Sequence, residues 1–214
     1  MIKLNEIGLK HHTDKASTHH CYLDVYESYL KHLCQKEFIL LELGVASGAS
    51  LKMWAEYFPK AKIYGIDTNP DCATYVPGVF IGSQSDTAFL DKLFSEIGIP
   101  DVIIDDASHH SPHTIASFKH LFPKMKNDGL YFVEDNHCFY DQQYGEAPPY
   151  GQGMSEVYKF FSGLDTHVDV NGRYMTGSRD MALNAPIDSP PIPEYSHVLD
   201  SIHIHQSLRL FKRR

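Results

Sequence analysis

Much of what this 214-residue chain does not contain narrows its function. No apolar run approaches the roughly 20 residues that a bilayer-spanning helix needs. The start, MIKLNEIGLKHHTDK, lacks the apolar core of a secretory signal, so a cytoplasmic protein is expected. Cys21, Cys34, Cys72 and Cys138 are scattered without CxxC spacing, which argues against a disulfide framework or a cysteine zinc site. Basic residues are outnumbered, with a net charge of −8, and the only basic cluster, Lys212-Arg213-Arg214, reads as a solvated tail. Wrapping nucleic acid is therefore not expected. There is no internal repeat and no low-complexity segment. The abundant residue is histidine, 14 in all, with several close to acids. An apolar content of 43% and a charged content of 21% are those of a soluble globular domain.

Along the chain, strands and helices alternate. Apolar runs predict strands at Phe38–Leu43, Lys62–Asp67, Gly78–Gly82, Asp101–Asp106 and Leu130–Asp135. Helical spacing predicts helices at Tyr22–Cys34, Ser50–Tyr57, Thr87–Ile97, Thr114–Lys124 and Ser155–Phe161. Two final alternating runs, Ser201–His205 and Ser207–Lys212, predict an edge hairpin, which permits a homo-oligomer without requiring one. The pattern is that of an α/β fold, mostly a parallel sheet with helices on both faces and an antiparallel C-terminal edge. Residues 1–36 read as an N-terminal lid and helix, and 37–214 as the catalytic domain, within one structural domain. Residues 136–153 and the proline-rich Asn184–Tyr195 read as long connections, the first closing over the site.

The organising stretch is FILLELGVASGAS, Phe38 to Ser50: strand, tight turn, helix. Gly44 and Gly48 allow the sharp turn and close approach of a ligand, and the helix start past Ser47 offers N–H groups to an anion. The spacing Glu42-x-Gly44-x-x-x-Gly48 is not the GxGxxG of dinucleotide sites, and no Lys-Ser/Thr pair follows to make a phosphate loop. Asp67, ending the second strand, is placed to accept both hydroxyls of a ribose. A ligand with adenosine but no pyrophosphate fits, namely S-adenosylmethionine. Gln84 and Asp86 fall where an adenine pocket would form, with helix capping as the competing role for Asp86.

Asp105-Asp106 and Glu134-Asp135 end neighbouring strands, where ligand crevices form in such sheets. Carboxylates gathered there repel unless a cation or shared protons intervene, and oxygen ligands favour a hard ion such as Mg²⁺. Asp105 is expected on the cofactor side of this rim. His109, three residues past Asp106, is the candidate general base. An iron oxygenase using the same acids would need both His109 and His113 as ligands. A hydrolase and a non-catalytic nucleoside-binding regulator are further alternatives.

The motifs HTDKASTHHCY, LELGVASGASLKMWAEYFPKAKIYGIDTNP, GSQSD, DVIIDDASHHSPHTIASF and GLYFVEDNHCFY resemble, in order and spacing, the metal-dependent sugar O-methyltransferases of the mycinamicin, macrocin and tetracenomycin type. The resemblance implies a Rossmann-like class I methyltransferase fold that uses S-adenosylmethionine and Mg²⁺ to methylate a sugar or glycoside hydroxyl, as in antibiotic or polysaccharide biosynthesis. It implies Asp106, Glu134 and Asp135 as metal ligands and His109 as the base. Glu42, Asp67 and the Gln84 region would contact the cofactor, with Thr13, Asp14, Lys15 and Tyr22 in a lid above it. The chain departs from the family in having Ala107 and His12 where glycine is usual. The resemblance fades after about Tyr140, so the acceptor does not carry over.

Overall fold

The computed structural model describes residues 2–140, 155–172 and 198–214; the expectations for 141–153 and for Asn184–Tyr195 lie outside the described residues. Seven strands form one sheet: β1 (Ile39–Leu43), β2 (Lys62–Asp67), β3 (Val79–Ile81), β4 (Val102–Asp105), β5 (Leu130–Val133), β6 (Leu199–His205) and β7 (Leu208–Arg213). Their order is β3-β2-β1-β4-β5-β7-β6. The first five are parallel, and β7 runs antiparallel to both β5 and β6. The expected parallel sheet with a reversed edge hairpin is what the chain adopts. The strand order reverses direction at β1 and β4, where a ligand crevice opens beyond the carboxyl ends.

Among the described residues, six α-helices flank the sheet: α1 (Leu4–His11), α2 (Leu23–Leu30), α3 (Ala49–Tyr57), α4 (Thr87–Ile97), α5 (Ser111–Leu121) and α6 (Glu156–Gly172). Side chains alternate across the strands and divide the core in two. Leu40, Val102, Ile104 and Phe132 pack with Leu4, Leu23, Tyr26 and Trp54 of α1–α3. Leu41, Leu43, Ile103, Tyr131 and Val133 pack with Leu90, Phe118 and Phe161 of α4–α6. Each such fully buried side chain contributes about 1.5–3 kcal/mol. Carried one step further, the same alternation sends Glu42 and Glu134 to the α1–α3 face and Asp105 to the α5 face.

Several boundaries differ from the sequence reading; α2, for one, ends at Leu30, followed by a 3-10 turn over Lys31–Leu33. The sequence reading places no helix before Tyr22, yet α1 buries Leu4 and Ile7 in the same core as α2 and α3. Two apolar residues make too short a stripe to register as a period. Helix α5 begins at Ser111 rather than Thr114, because Pro112 occupies its first turn, where no N–H is needed. Helix α6 continues well past Phe161 to Gly172. At the end of α1, His12 takes a left-handed conformation (φ 58°), which gives a backbone reason for the family's glycine there. Ala107, by contrast, is not among the residues with positive φ, so its methyl group carries no such strain.

The close approach of β1 to β4 rests on Gly44. Its φ is 92°, and a Cβ built there would lie 2.1 Å from the Asp106 carbonyl oxygen. We predict that Gly44→Ala costs at least about 1–3 kcal/mol, read as a lowered urea midpoint. An unchanged midpoint would show that the two strand ends have room to separate.

Candidate active site

The turn after β1 is held from β2. Asp67 Oδ2 accepts the Val45 N–H at 2.9 Å and the Ala46 N–H at 3.2 Å, and Oδ1 accepts the Asn69 N–H at 2.9 Å. Burial disfavours the Asp67 charge, but these three amides outweigh it and hold the carboxyl below its ordinary pKa. Two cavities open beside the turn and share Gly44, Asp67 and Ala107. One, of about 240 Å³, reaches Thr68, Ser83, Gln84 and His113. The other, of about 230 Å³, reaches His12, Asp14, Lys15, Ser47 and Ser50. No side chain caps the first turn of α3, so its amides remain available to an anionic group. These features fit a nucleoside with an amino-acid tail, Asp67 sitting where the two parts would meet.

The remaining cofactor candidates separate. Gln84 lines the first cavity; its amide donates to Asp105 Oδ1 at 2.9 Å and its oxygen accepts the Ser108 N–H at 2.9 Å. Asp86 caps α4, accepting the N–H groups of Ala88 and Phe89 at 3.1 Å, so its capping role is the observed one. Asp105 is buried against α5, where Ser117 and Tyr131 hydroxyls donate to Oδ2 at 2.7 and 2.9 Å. Burial pushes its pKa up to about 6, partly offset by those hydrogen bonds. Neither Asp105 nor Glu42 lines the cavities. Glu42 is fully buried behind the turn and accepts the Trp54 indole N–H at 3.0 Å. Thr13 is buried, its hydroxyl accepting the Lys15 N–H at 3.4 Å.

The residue that sequence reasoning undervalued is Lys15. Its ammonium, 1% exposed, donates to Asp106 and, at 2.9 Å, to Glu134, and lies 3.2 Å from Glu42. Burial alone would lower its pKa, but Asp106, Glu134 and Glu42 together raise it well above normal, and it stays charged. Glu134 also accepts the Tyr26 hydroxyl at 2.5 Å. Burial and the neighbouring Asp106 push the Glu134 carboxyl up, against the pull of Lys15. Part of the cation expected among these acids is thus a side chain.

Asp135 faces a different set of neighbours. The Tyr22 hydroxyl donates to its Oδ1 at 2.7 Å, and Oδ2 lies 3.7 Å from His109 Nε2. His109 Nε2 is also 3.9 Å from Asp106 Oδ1. His109 (φ 55°) and Asp135 (φ 51°) are both left-handed, an uncommon conformation that turns their side chains toward one another. The oxygens of Asp106 and Asp135 across this gap suit a hard cation, whereas Glu134 points into the Lys15–Tyr26 pocket. His113 Nδ1 lies 3.1 Å from Ser108 Oγ, and among the described residues His113 does not join His109 and an acid at metal-ligand distances, so the two-histidine iron reading finds no support in the geometry.

Two stability predictions follow from these buried charges. Lys15→Met should cost about 3–5 kcal/mol near neutral pH by leaving buried carboxylates without their cation. The loss should shrink on acidification, since the folded state then gains by protonating them. For Asp105 the folded pKa of about 6 exceeds the unfolded value of 3.8. Its stabilising contribution is therefore present below the unfolded pKa and lost as pH rises through the folded one, by about 3 kcal/mol. Asp105→Asn should remove that slope; parallel stability–pH curves for both proteins would contradict it.

No family model matches the chain. Over 153 residues, 67% of this chain, it is 35% identical to the 8-demethyl-8-(2-methoxy-alpha-L-rhamnosyl)-tetracenomycin-C 3'-O-methyltransferase of Streptomyces olivaceus, of which it covers 39%. Over 158 residues, 68% of this chain, it is 32% identical to the mycinamicin VI 2''-O-methyltransferase of Micromonospora griseorubida, again covering 39%. The chain thus spans about two fifths of the length of these curated relatives. Among solved structures, the MycE methyltransferase from the mycinamycin biosynthetic pathway, in complex with Mg and SAH, superposes with a TM-score of 0.82 at 24% identity, over 99% of this chain and 54% of that one. By sequence the chain is similar to sugar O-methyltransferases of the tetracenomycin and mycinamicin type, and its fold is the Rossmann-like fold of the MycE methyltransferase.

Proposed function

We propose that the chain carries out S-adenosylmethionine-dependent, Mg²⁺-assisted O-methyl transfer to a hydroxyl of a sugar or glycoside. The observation that carries this reading is the meeting of two half-sites at the β1–β4 crevice. Two cavities joined at Gly44 and Asp67 lie on one side, and the Asp106–His109–Asp135 gap lies on the other. When bound, the cofactor supplies an electrophilic methyl group, and a hard divalent cation held by Asp106 and Asp135 lowers the pKa of an acceptor hydroxyl. Glu134 would join that ligand set only by turning from Lys15 and Tyr26.

The rest falls to the chain's own groups. Asp67, already ionised, accepts ribose hydroxyls while holding the turn in shape. The uncapped start of α3 receives the cofactor's carboxylate. His109 Nε2 takes the proton of the acceptor hydroxyl, and Tyr22 steadies Asp135 opposite it. Lys15 fixes the N-terminal segment across the strand ends, where Thr13 and Asp14 help exclude water. The net charge of −8 favours a small-molecule acceptor over nucleic acid, and a cytoplasmic setting belongs to the same reading. One relative is named for methylating a rhamnosyl-bearing tetracenomycin, which makes a rhamnosyl glycoside the first acceptor to try.

Calorimetry with S-adenosylhomocysteine, with and without Mg²⁺, tests the cofactor half. Binding is expected in both, weakened about 10-fold or more in Asp67→Ala; no binding would remove the reading. His109→Ala should cut turnover about 10²–10⁴-fold at nearly unchanged cofactor affinity. Turnover that survives His109→Ala would remove it as the base, and turnover that survives chelation would remove the metal.

A further inference from the structure

Next to the gap, a second donor set converges with different chemistry. One ligand atom each from His109, Asp135 and Cys138 lies within 4.8 Å of the other two. Cys138 is 2% exposed, and its backbone N–H donates to the Asp135 carbonyl at 2.8 Å. That hydrogen bond closes the turn after β5 and keeps the residue beside Asp135. Because Tyr22 takes Asp135 Oδ1, Oδ2 is the oxygen facing His109 Nε2. A tetrahedral site with bonds of about 2.0–2.3 Å places its ligand atoms roughly 3.3–3.8 Å apart, so a contraction of about 1 Å completes it. Thiolate and imidazole beside one carboxylate select borderline cations over Mg²⁺.

We propose that His109, Asp135 and Cys138 form a binding site for a borderline divalent cation of the Zn²⁺ class, with the fourth position open. Binding displaces the Cys138 thiol proton to solvent and ties up the imidazole of His109. Occupancy therefore inhibits methyl transfer, a consequence that rests on His109 acting as the base; the binding itself does not.

Cobalt supplies the test, since Co²⁺ reports its ligands by absorption. Adding Co²⁺ to the full chain should give a near-ultraviolet thiolate-to-cobalt band together with intense visible bands of four-coordinate cobalt. Zn²⁺ should bleach both, and excess Mg²⁺ should not. Cys138→Ser should abolish the thiolate band and weaken Zn²⁺ binding at least about 100-fold. His109→Ala, a second variant should Cys138→Ser fail to fold, should keep the thiolate band but alter the visible bands. Absence of a thiolate band, or a band that persists in Cys138→Ser and so comes from Cys21, Cys34 or Cys72, would overturn the site. A thiolate band in a protein that transfers no methyl group would uphold the metal site and remove the methyl-transfer reading. Methyl transfer without the band would do the reverse.

Discussion

One ammonium group buried among carboxylates ties the N-terminal segment to the carboxyl ends of three strands. Lys15 reaches from the N-terminal segment to Asp106 and Glu134, 91 and 119 residues away in the chain, and touches Glu42 as well. An uncompensated charge so deeply buried would cost several kcal/mol. The segment from Thr13 to Tyr22 therefore has one low-energy position, across the carboxyl ends of β1, β4 and β5. One lysine does not balance all these acids. Glu42 and Glu134 accordingly have raised pKa values, with burial the largest cause and neighbouring carboxylates adding to it. A region carrying surplus negative charge is one that an incoming cation stabilises.

That arrangement separates structural acids from available ones. Glu42, Asp105 and Glu134 turn away from the crevice: Glu42 accepts the Trp54 indole N–H on one oxygen and faces the Lys15 ammonium with the other, Asp105 is held by Ser117 with Tyr131, and Glu134 by Tyr26 with Lys15. Asp67 stands at the junction of the two cavities, while Asp106 and Asp135 look across at His109. The strained backbone at His109 and Asp135 makes the same point: the fold tolerates two left-handed residues where their side chains must converge. Gly44 serves the opposite purpose, letting two strand ends meet with no side chain between them.

The architecture was legible because its signals are local and repeated. Apolar runs ending in acids, alternating with amphipathic stretches, place the first five strands and helices α3, α4 and α5 to within a few residues. The period of two along β1, β4 and β5 even contains the division of the acids, since Glu42 and Glu134 share parity with core residues of the α1–α3 face and Asp105 does not. What parity lacked was the partner on each face. Nothing near Lys15 in sequence marks it as buried: HHTDKASTHH is polar on every side. Its burial arises from carboxylates about a hundred residues distant.

The sequence by itself determined the sheet, the glycine turn at Gly44, the acid at Asp67 that ends β2 and the set of acids and histidines at the rim, because spacing and periodicity are properties of neighbours along the chain. Only the tertiary structure decided which acids face the crevice and which face the core, and that a lysine supplies part of the positive charge among them. It also decided that Cys138 comes to lie beside His109. These are matters of distance between remote segments, and electrostatic energy in a buried site depends on that distance and on the water excluded from it.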